Sequence, residues 1–174
     1  MSSHDIVFSS AENGATGLEV TSSIILDRLK RGDVQGAAVL LGRPWTIQGV
    51  VVHGDKRGRL LGFATANLIL EDDRLLAQGV YAVRAIVDGT AYDAVACYGT
   101  RPQFDNGAPR LEVHILDFDK DIYGASLVVE FIGFQRPEER FTSVETLKTQ
   151  MVQDCVNARR LLRENTFADG LLSA

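Results

Sequence analysis

The chain has few cysteines, few histidines and no long apolar run. Its two cysteines, Cys97 and Cys155, stand without metal-ligand spacing, which argues against a disulfide framework and a zinc knuckle and favours a reducing cytosol. No apolar run approaches the roughly 20 residues of a membrane-spanning helix. The start of the chain also lacks the charged and apolar regions of a signal peptide. We therefore expect a cytoplasmic protein with no membrane partner.

Positive charge is also in the minority. Eighteen lysines and arginines face 23 aspartates and glutamates, so the formal net charge is −5 at pH 7. That balance argues against a surface built for many phosphate contacts, and the chain lacks a basic groove with interleaved aromatics. Nucleic acid is therefore not an expected partner. A length of 174 residues with 45% hydrophobic residues predicts one globular domain.

The middle of the chain is rich in strand-forming residues. The candidate strands are Ile47–Val52, Ala64–Leu70, Val80–Val87, Ala91–Cys97, Leu111–Leu116 and Leu127–Phe131. Six strands in about 90 residues predict an antiparallel sheet curled into a barrel. The pair Asp88-Gly89 lies between two of these runs and predicts a tight hairpin.

Two short helices are predicted before the strands. Ser22 or Ser23 can cap a helix that Gly32 ends, and Asp33 can cap a second helix that continues to Gly42. Residues 1–18 have no sustained periodicity and predict a flexible arm.

One long helix is predicted after the strands. Thr142 and Glu145 form a potential capping box at its start. An apolar stripe at helical spacing follows and is predicted to be core: Val144, Leu147, Met151, Cys155, Ala158 and Leu162. Residues 166–174 carry no periodic pattern and are predicted to be an irregular tail.

The segment from His53 to Leu68 joins a basic glycine loop to a polar pair. The loop contains three glycines and three cations, namely Gly54, Gly58, Gly62, Lys56, Arg57 and Arg59. Glycines that adopt positive φ could bring backbone N–H groups and cations close to an anion. Thr65 and Asn67 follow at spacing two, which in a strand places both on one face to hold a metal ion and phosphate. The alternative is a solvated hairpin tip.

Several blocks together resemble a known family. They are HGDKRGRLLGFATANL, GVYAVRA at 79–85, GTRPQF at 99–104, LEVHILDFDKDIYG at 111–124 and the helix end QDCVNARRLL. Their order and spacing, from Gly42 to Leu162, resemble the riboflavin kinase module of bacterial bifunctional flavokinase/FAD synthetases. The resemblance implies a mainly β fold: a six-stranded antiparallel Greek-key barrel with a long C-terminal helix. It also implies the magnesium-dependent transfer of the γ-phosphate of ATP to riboflavin, which gives FMN and ADP.

The resemblance assigns roles to particular residues. The family's Pro-Thr-Ala-Asn motif corresponds to residues 64–67, so Thr65 and Asn67 are expected to bind magnesium and nucleotide phosphates. The loop from Gly54 to Arg59 is expected to cover those phosphates. The glutamate of the family's Leu-Glu-Val-His block corresponds to Glu112, the expected catalytic base.

The remaining candidates are arginine and aromatic side chains. Arg136 is a candidate contact to the flavin. Phe104, Tyr98 and Tyr123 are candidate walls of a flavin pocket, because flat rings stack on aromatic faces, although they could equally be core. Arg101 is a further candidate contact to nucleotide or flavin. His114 shares a face with Glu112 and is interpreted as a packed or hydrogen-bonded strand residue without an assigned role.

The sequence departs from the family pattern at four positions. Ala64 replaces the proline before the threonine, Cys97 and Tyr98 replace an Asn-Ile pair, and Gln135 replaces the leucine before Arg136. These changes suggest a divergent copy, so the alternative to the kinase is a non-catalytic module that binds a flavin or a nucleotide.

Residues 19–44 resemble the end of the adenylyltransferase module that precedes the kinase in the bifunctional proteins. The His-x-Gly-His motif of that module does not occur in this sequence. We therefore expect no FAD synthesis by this chain, with a separate adenylyltransferase as a possible partner. The expected organisation is an arm at 1–18, the short helical remnant at 19–44, the kinase-like barrel with its helix at 45–165, and the tail.

Overall fold

The computed structural model describes residues 22–54, 57–70, 75–100 and 109–165. The predicted arm and tail lie outside these ranges. None of the described helices is both long enough and apolar enough to cross a bilayer.

Two short helices precede the sheet, as predicted. Helix α1 spans Ser22–Lys30 and helix α2 spans Val34–Leu41. The Asp33 carboxylate caps α2 by accepting a hydrogen bond from the backbone N–H of Gly36 at 2.8 Å, and Gly42 ends it with a left-handed φ of 70°. Both helices bury apolar side chains in the same core as the barrel interior.

All six predicted strands are present. They are β1 (Trp45–Val50), β2 (Ala66–Ile69), β3 (Gly79–Val87), β4 (Thr90–Thr100), β5 (Pro109–Ile115) and β6 (Ser126–Arg136). Every pairing is antiparallel, in the order β1-β6-β3-β4-β5-β2. Strands β3, β4 and β5 lie side by side, and β6 returns beside β3, so the topology is the predicted Greek key.

The sheet curls until its two edge strands meet. Just beyond β1, the N–H of Val52 donates to the carbonyl of Asn67 in β2 at 2.9 Å, which forms an isolated bridge. This bridge joins the edges of a strongly curled half-barrel. The predicted hairpin at Asp88-Gly89 is also confirmed: β3 and β4 pair up to Val87 and Thr90, and both turn residues have positive φ.

The long C-terminal helix begins one residue later than its predicted capping box implied. This helix, α4, spans Val144–Glu164. A third helix, α3 (Arg57–Leu60), has four residues and lies in the basic loop. The cap of α4 is Ser143, whose hydroxyl accepts from the N–H of Thr146, so the prediction of Thr142 with Glu145 was wrong by one residue. Ser143 is the residue with the extended backbone (φ −145°) that a capping residue needs.

Only the last two residues of the α4 stripe are core. Ala158 and Leu162 are buried against Ala82 and Ile132 on the outer face of the sheet. By contrast, Val144 is 56% exposed. The side chains between them border a cavity that lies between α4 and the sheet and is described below. The prediction that the whole stripe is core was therefore wrong.

One buried side chain of β6 lacks a partner. The carboxamide nitrogen and oxygen of Gln135 are both buried without a hydrogen bond among the described residues. Gln135 lies at a bulge, since its neighbours Phe134 and Arg136 pair with consecutive residues of β3. An unsatisfied buried polar group costs about 1–3 kcal/mol.

We expect Gln135→Leu to stabilise the protein, because leucine has a similar volume and buries no polar atom. A gain of about 1 kcal/mol should raise the Tm by about 2–4 °C in thermal unfolding. Gln135→Glu, which buries a charge at the same place, should lower the Tm and serves as the opposite control. A Leu variant less stable than wild type would mean that the amide is satisfied, for example by water.

Candidate active site

A row of side chains crosses the sheet and organises the site. Strand pairing places Asn67 opposite Glu112, Glu112 opposite Cys97, Cys97 opposite Val80 and Val80 opposite Arg136. Directly opposed residues in antiparallel strands share a face. Five strands therefore bring the amide, the carboxylate, the thiol and the guanidinium to one face, although these residues are far apart in the sequence.

Two cavities flank the end of this row. The first cavity, of about 370 Å³, lies at the barrel mouth and is bordered by Val51, Gly54, Arg59, the segment 64–67, Val113, Ile115 and the segment 118–123. The second cavity, of about 670 Å³, lies between the outer face of the sheet and the first half of α4. Thr65 borders both cavities. A reaction between two ligands, one in each cavity, would take place beside this residue.

The described part of the basic loop differs from the predicted glycine turn. It includes α3, and of its three glycines only Gly62 has a positive φ, at 86°. Gly54 and Gly58 are needed for a different reason. A Cβ at Gly54 would overlap the Asn67 carboxamide, and one at Gly58 would overlap the carbonyl of Phe63. Close packing therefore selects these two glycines, rather than positive φ.

Thr65 and Asn67 lie together at the rim of the barrel. Both residues were predicted to lie in one strand. Asn67 does lie in β2, whereas Thr65 immediately precedes it. Asn67 is buried, and its Nδ2 donates to the carbonyl of Thr65 at 3.3 Å. Because the amide nitrogen is used in this way, the carboxamide oxygen is the atom that remains for a cation. A hydroxyl and an amide oxygen are hard ligands that suit Mg²⁺, which keeps several waters when few protein ligands are available.

The second cavity is the larger and the more apolar of the two. Its walls come from the outer sheet face, the segment after β6 and α4. Its apolar residues include Leu61, Phe63, Val80, Val95, Phe141, Leu147 and Met151. Glu112 and His114 border it from β5. This shape and chemistry fit a flat, largely apolar ligand with a few polar groups.

A buried ion pair holds the far wall of the second cavity. The Nε and NH2 groups of Arg136 donate to the two carboxylate oxygens of Asp154 at 2.9 and 2.7 Å, and Gln150 adds a third hydrogen bond to Asp154. Asp154 is 4% exposed. These hydrogen bonds raise the pKa of Arg136. The pair ties the end of β6 to the middle of α4, and removing one partner would leave a buried charge unpaired.

Asp154 was missed by the sequence analysis, although a signal existed. It stands three residues after Met151 and four before Ala158, so it occupies the apolar stripe of α4. A carboxylate at such a position is buried only when it is paired. Its partner could not be predicted, because the register that places Arg136 beside α4 depends on the bulge in β6.

Cys97 is a neutral thiol in the wall of the second cavity. Burial and the neighbouring carboxylates of Glu138 and Glu112 raise its pKa to about 12, and its Sγ lies 3.6 Å from Oε1 of Glu138. Both described cysteines are free. Within the described ranges, no three His, Cys, Asp or Glu side chains gather as a metal site.

The structure divides the predicted flavin contacts between the two cavities. Arg136 borders the second cavity with Glu112, whereas Tyr123 borders the first cavity with Thr65 and Asn67 and stacks on His53 at a centroid distance of 3.8 Å. Tyr98, the other aromatic candidate, is a buried core residue. Among the predicted phosphate-binding residues, Gly54 and Arg59 border the first cavity and Gly58 the second. Lys56, Phe104, Arg101 and the side chain of Arg57 lie outside the described residues.

A Greek-key barrel with two adjoining cavities defines the class of fold, and comparison with known proteins defines the family. The family model for flavokinase, described as riboflavin kinase, matches residues 41–162. This match covers more than half of the chain. The chain belongs to the riboflavin kinase family.

Relatives of the chain support the same assignment. It is 40% identical over 146 residues to a bifunctional riboflavin kinase/FMN adenylyltransferase from Bacillus subtilis, which covers 82% of this chain and 46% of the relative. A Pseudomonas fluorescens protein of the same description is 43% identical over 146 residues, covering 83% and 47%. The chain therefore spans about half the length of these curated relatives.

Two solved structures are also similar. A macrolide-efflux protein from Streptococcus pneumoniae has a TM-score of 0.75 and 39% identity, with 80% of this chain and 46% of that chain covered. Riboflavin kinase from Trypanosoma brucei has a TM-score of 0.53 and 25% identity, with 70% and 82% covered. The mainly β fold that the sequence predicts is thus shared with a riboflavin kinase.

Proposed function

We propose that this chain transfers the γ-phosphate of ATP to the 5′-hydroxyl of riboflavin and so makes FMN and ADP. The observation that carries this proposal is that Thr65 borders both cavities. Phosphoryl transfer requires the phosphate and the attacking oxygen to meet in line, with little covalent work for the protein. A single residue shared by two binding cavities is a suitable meeting place.

The first cavity is assigned to the nucleotide. Arg59 and Lys120 supply positive charge there, next to the carboxylates of Asp119 and Asp121. Thr65 and Asn67 supply oxygen ligands. Phe118, Ile122 and Tyr123 add apolar surface for the base. In this proposal Tyr123 contacts the nucleotide rather than the flavin.

Magnesium would be held by the Thr65 hydroxyl and the Asn67 carboxamide oxygen, together with water and the nucleotide. When bound, the ion neutralises the charge of the phosphates. Gly54 allows Asn67 to take its position, because any side chain at residue 54 would displace the carboxamide.

The second cavity is assigned to riboflavin. Its larger size and its apolar walls suit the isoalloxazine ring. Glu112 pairs with Asn67 across β5 and β2, so the proposed base stands directly beside the proposed phosphate site. In the reaction, the ribityl oxygen forms the new bond to phosphorus, Glu112 accepts its proton, and the bond to the ADP oxygen breaks.

The direct test is product formation. The purified chain, incubated with riboflavin, ATP and Mg²⁺, should make FMN, and removal of Mg²⁺ by EDTA should stop the reaction until the ion is restored. FAD should not form, because the sequence has no His-x-Gly-His motif. Chromatography separates the three flavins. Binding of riboflavin without FMN formation would contradict the kinase proposal and favour a non-catalytic flavin-binding module. Formation of FAD would contradict the prediction that this chain lacks adenylyltransferase activity.

Glu112→Gln tests the base. Glutamine keeps the size and the hydrogen bonding but cannot accept the proton, so FMN formation should fall by about 10²–10⁴-fold. Riboflavin affinity, read from fluorescence quenching, should change little, because the lost interaction belongs to the transition state. Glu130→Gln, a strand glutamate of β6 outside both cavities, is the matched control. A Glu112→Gln variant within about threefold of wild type would exclude the role.

A further inference from the structure

The backbone on both sides of Thr65 is held by side chains. The carbonyl of Ala64 accepts a hydrogen bond from Nδ1 of His114 at 2.8 Å, and the carbonyl of Thr65 accepts one from Nδ2 of Asn67 at 3.3 Å. These carbonyls belong to the two rigid peptide planes that meet at the Thr65 Cα. Their orientations set φ and ψ of Thr65, so the two hydrogen bonds together fix the direction of its Cα–Cβ bond and with it the base of its side chain.

His114 is well placed to hold the first of these planes. A carbonyl can only accept, so Nδ1 of His114 must carry the proton. The imidazole projects from the continuously paired strand β5, and the ring of Phe63 packs against it edge-on at a centroid distance of 5.3 Å. The backbone of Phe63 is itself hydrogen-bonded to the basic loop, since its N–H donates to the carbonyl of Gly58 at 2.8 Å.

The hydrogen bond falls where β2 has not yet begun. The register of β2 and β5 places Ala66 opposite Val113, so Thr65 would stand opposite His114 if the strand continued. There the side chain of His114, rather than a backbone pair, connects the chain to β5. The residue it holds, Ala64, is also the one that lacks the ring constraint of the proline found in the family pattern.

We propose that His114 is a positioning residue, which directs the Thr65 hydroxyl toward the junction of the two cavities through the carbonyl of Ala64. The inference rests on the proposed function for its kinetic consequence. His114 does not need to touch either substrate or to move a proton.

The first test compares two substitutions of similar size. His114→Leu removes the donor, whereas His114→Asn keeps an N–H donor at the position of Nδ1. We expect His114→Leu to lower kcat for FMN formation by at least about fivefold, the loss typical of one ordinary hydrogen bond. The KM for riboflavin should stay within about twofold. His114→Asn should recover most of the activity, and an Asn variant as slow as the Leu variant would overturn the proposal.

The second test asks whether His114 acts through Thr65. Thr65→Ala should by itself lower kcat by at least about tenfold, because the oxygen ligand is lost. If His114 only directs that hydroxyl, adding His114→Leu to Thr65→Ala should change kcat by less than about twofold. Independent, multiplying losses in the double variant would contradict the proposal. If His114→Leu does not fold, His114→Gln, whose donor lies one bond further out, takes its place.

A readout without catalysis separates this inference from the proposed function. The NMR order parameter of the Thr65 amide should fall in His114→Leu and stay near wild type in His114→Asn. Wild-type protein that makes no FMN would overturn the kinase proposal, while unchanged order at Thr65 in His114→Leu would overturn the positioning role.

Discussion

The pairing of β2 with β5 is the constraint on which the site depends. β2 has only four residues, yet each pairs with β5, and Asn67 also accepts the bridge from Val52 that joins the sheet edges. The same register sets Asn67 beside Glu112. A slip of one residue would turn Asn67 away from the face that carries Glu112. Barrel closure and site assembly therefore depend on the same few backbone hydrogen bonds.

The site is divided between two cavities that meet at Thr65. The first cavity opens at the barrel mouth, where small and oxygen-bearing side chains meet a rim of charges. The second lies between the outer face and α4, where the ion pair of Arg136 and Asp154 links β6 to the helix. Riboflavin and ATP differ in the same way, since one is flat and largely apolar and the other highly charged. The chain belongs to the riboflavin kinase family, and this division offers a physical reason for its proposed reaction.

Much of the fold could be predicted because it rests on local signals. Strand-forming residues predicted all six strands, and local turn and capping residues predicted the Asp88-Gly89 hairpin and the cap of α2 at Asp33. Predictions failed where tertiary packing decides. The middle of the α4 stripe borders a cavity instead of the core. Gly54 is required by its contact with Asn67, 13 residues further along the chain, which no local sequence rule reveals. Likewise, the separation of Tyr123 from Arg136 depends on how the barrel curls, which no spacing in the sequence records.

The meeting of two ligands beside Thr65 is the central claim. A crystal structure of the chain with riboflavin, Mg²⁺ and a non-hydrolysable ATP analogue tests it most directly. We expect the terminal phosphates in the first cavity against Thr65, and the ribityl 5′-oxygen in the second cavity within hydrogen-bonding distance of Glu112. An isoalloxazine ring stacked on Tyr123 in the first cavity, or phosphates bound away from Thr65, would contradict it.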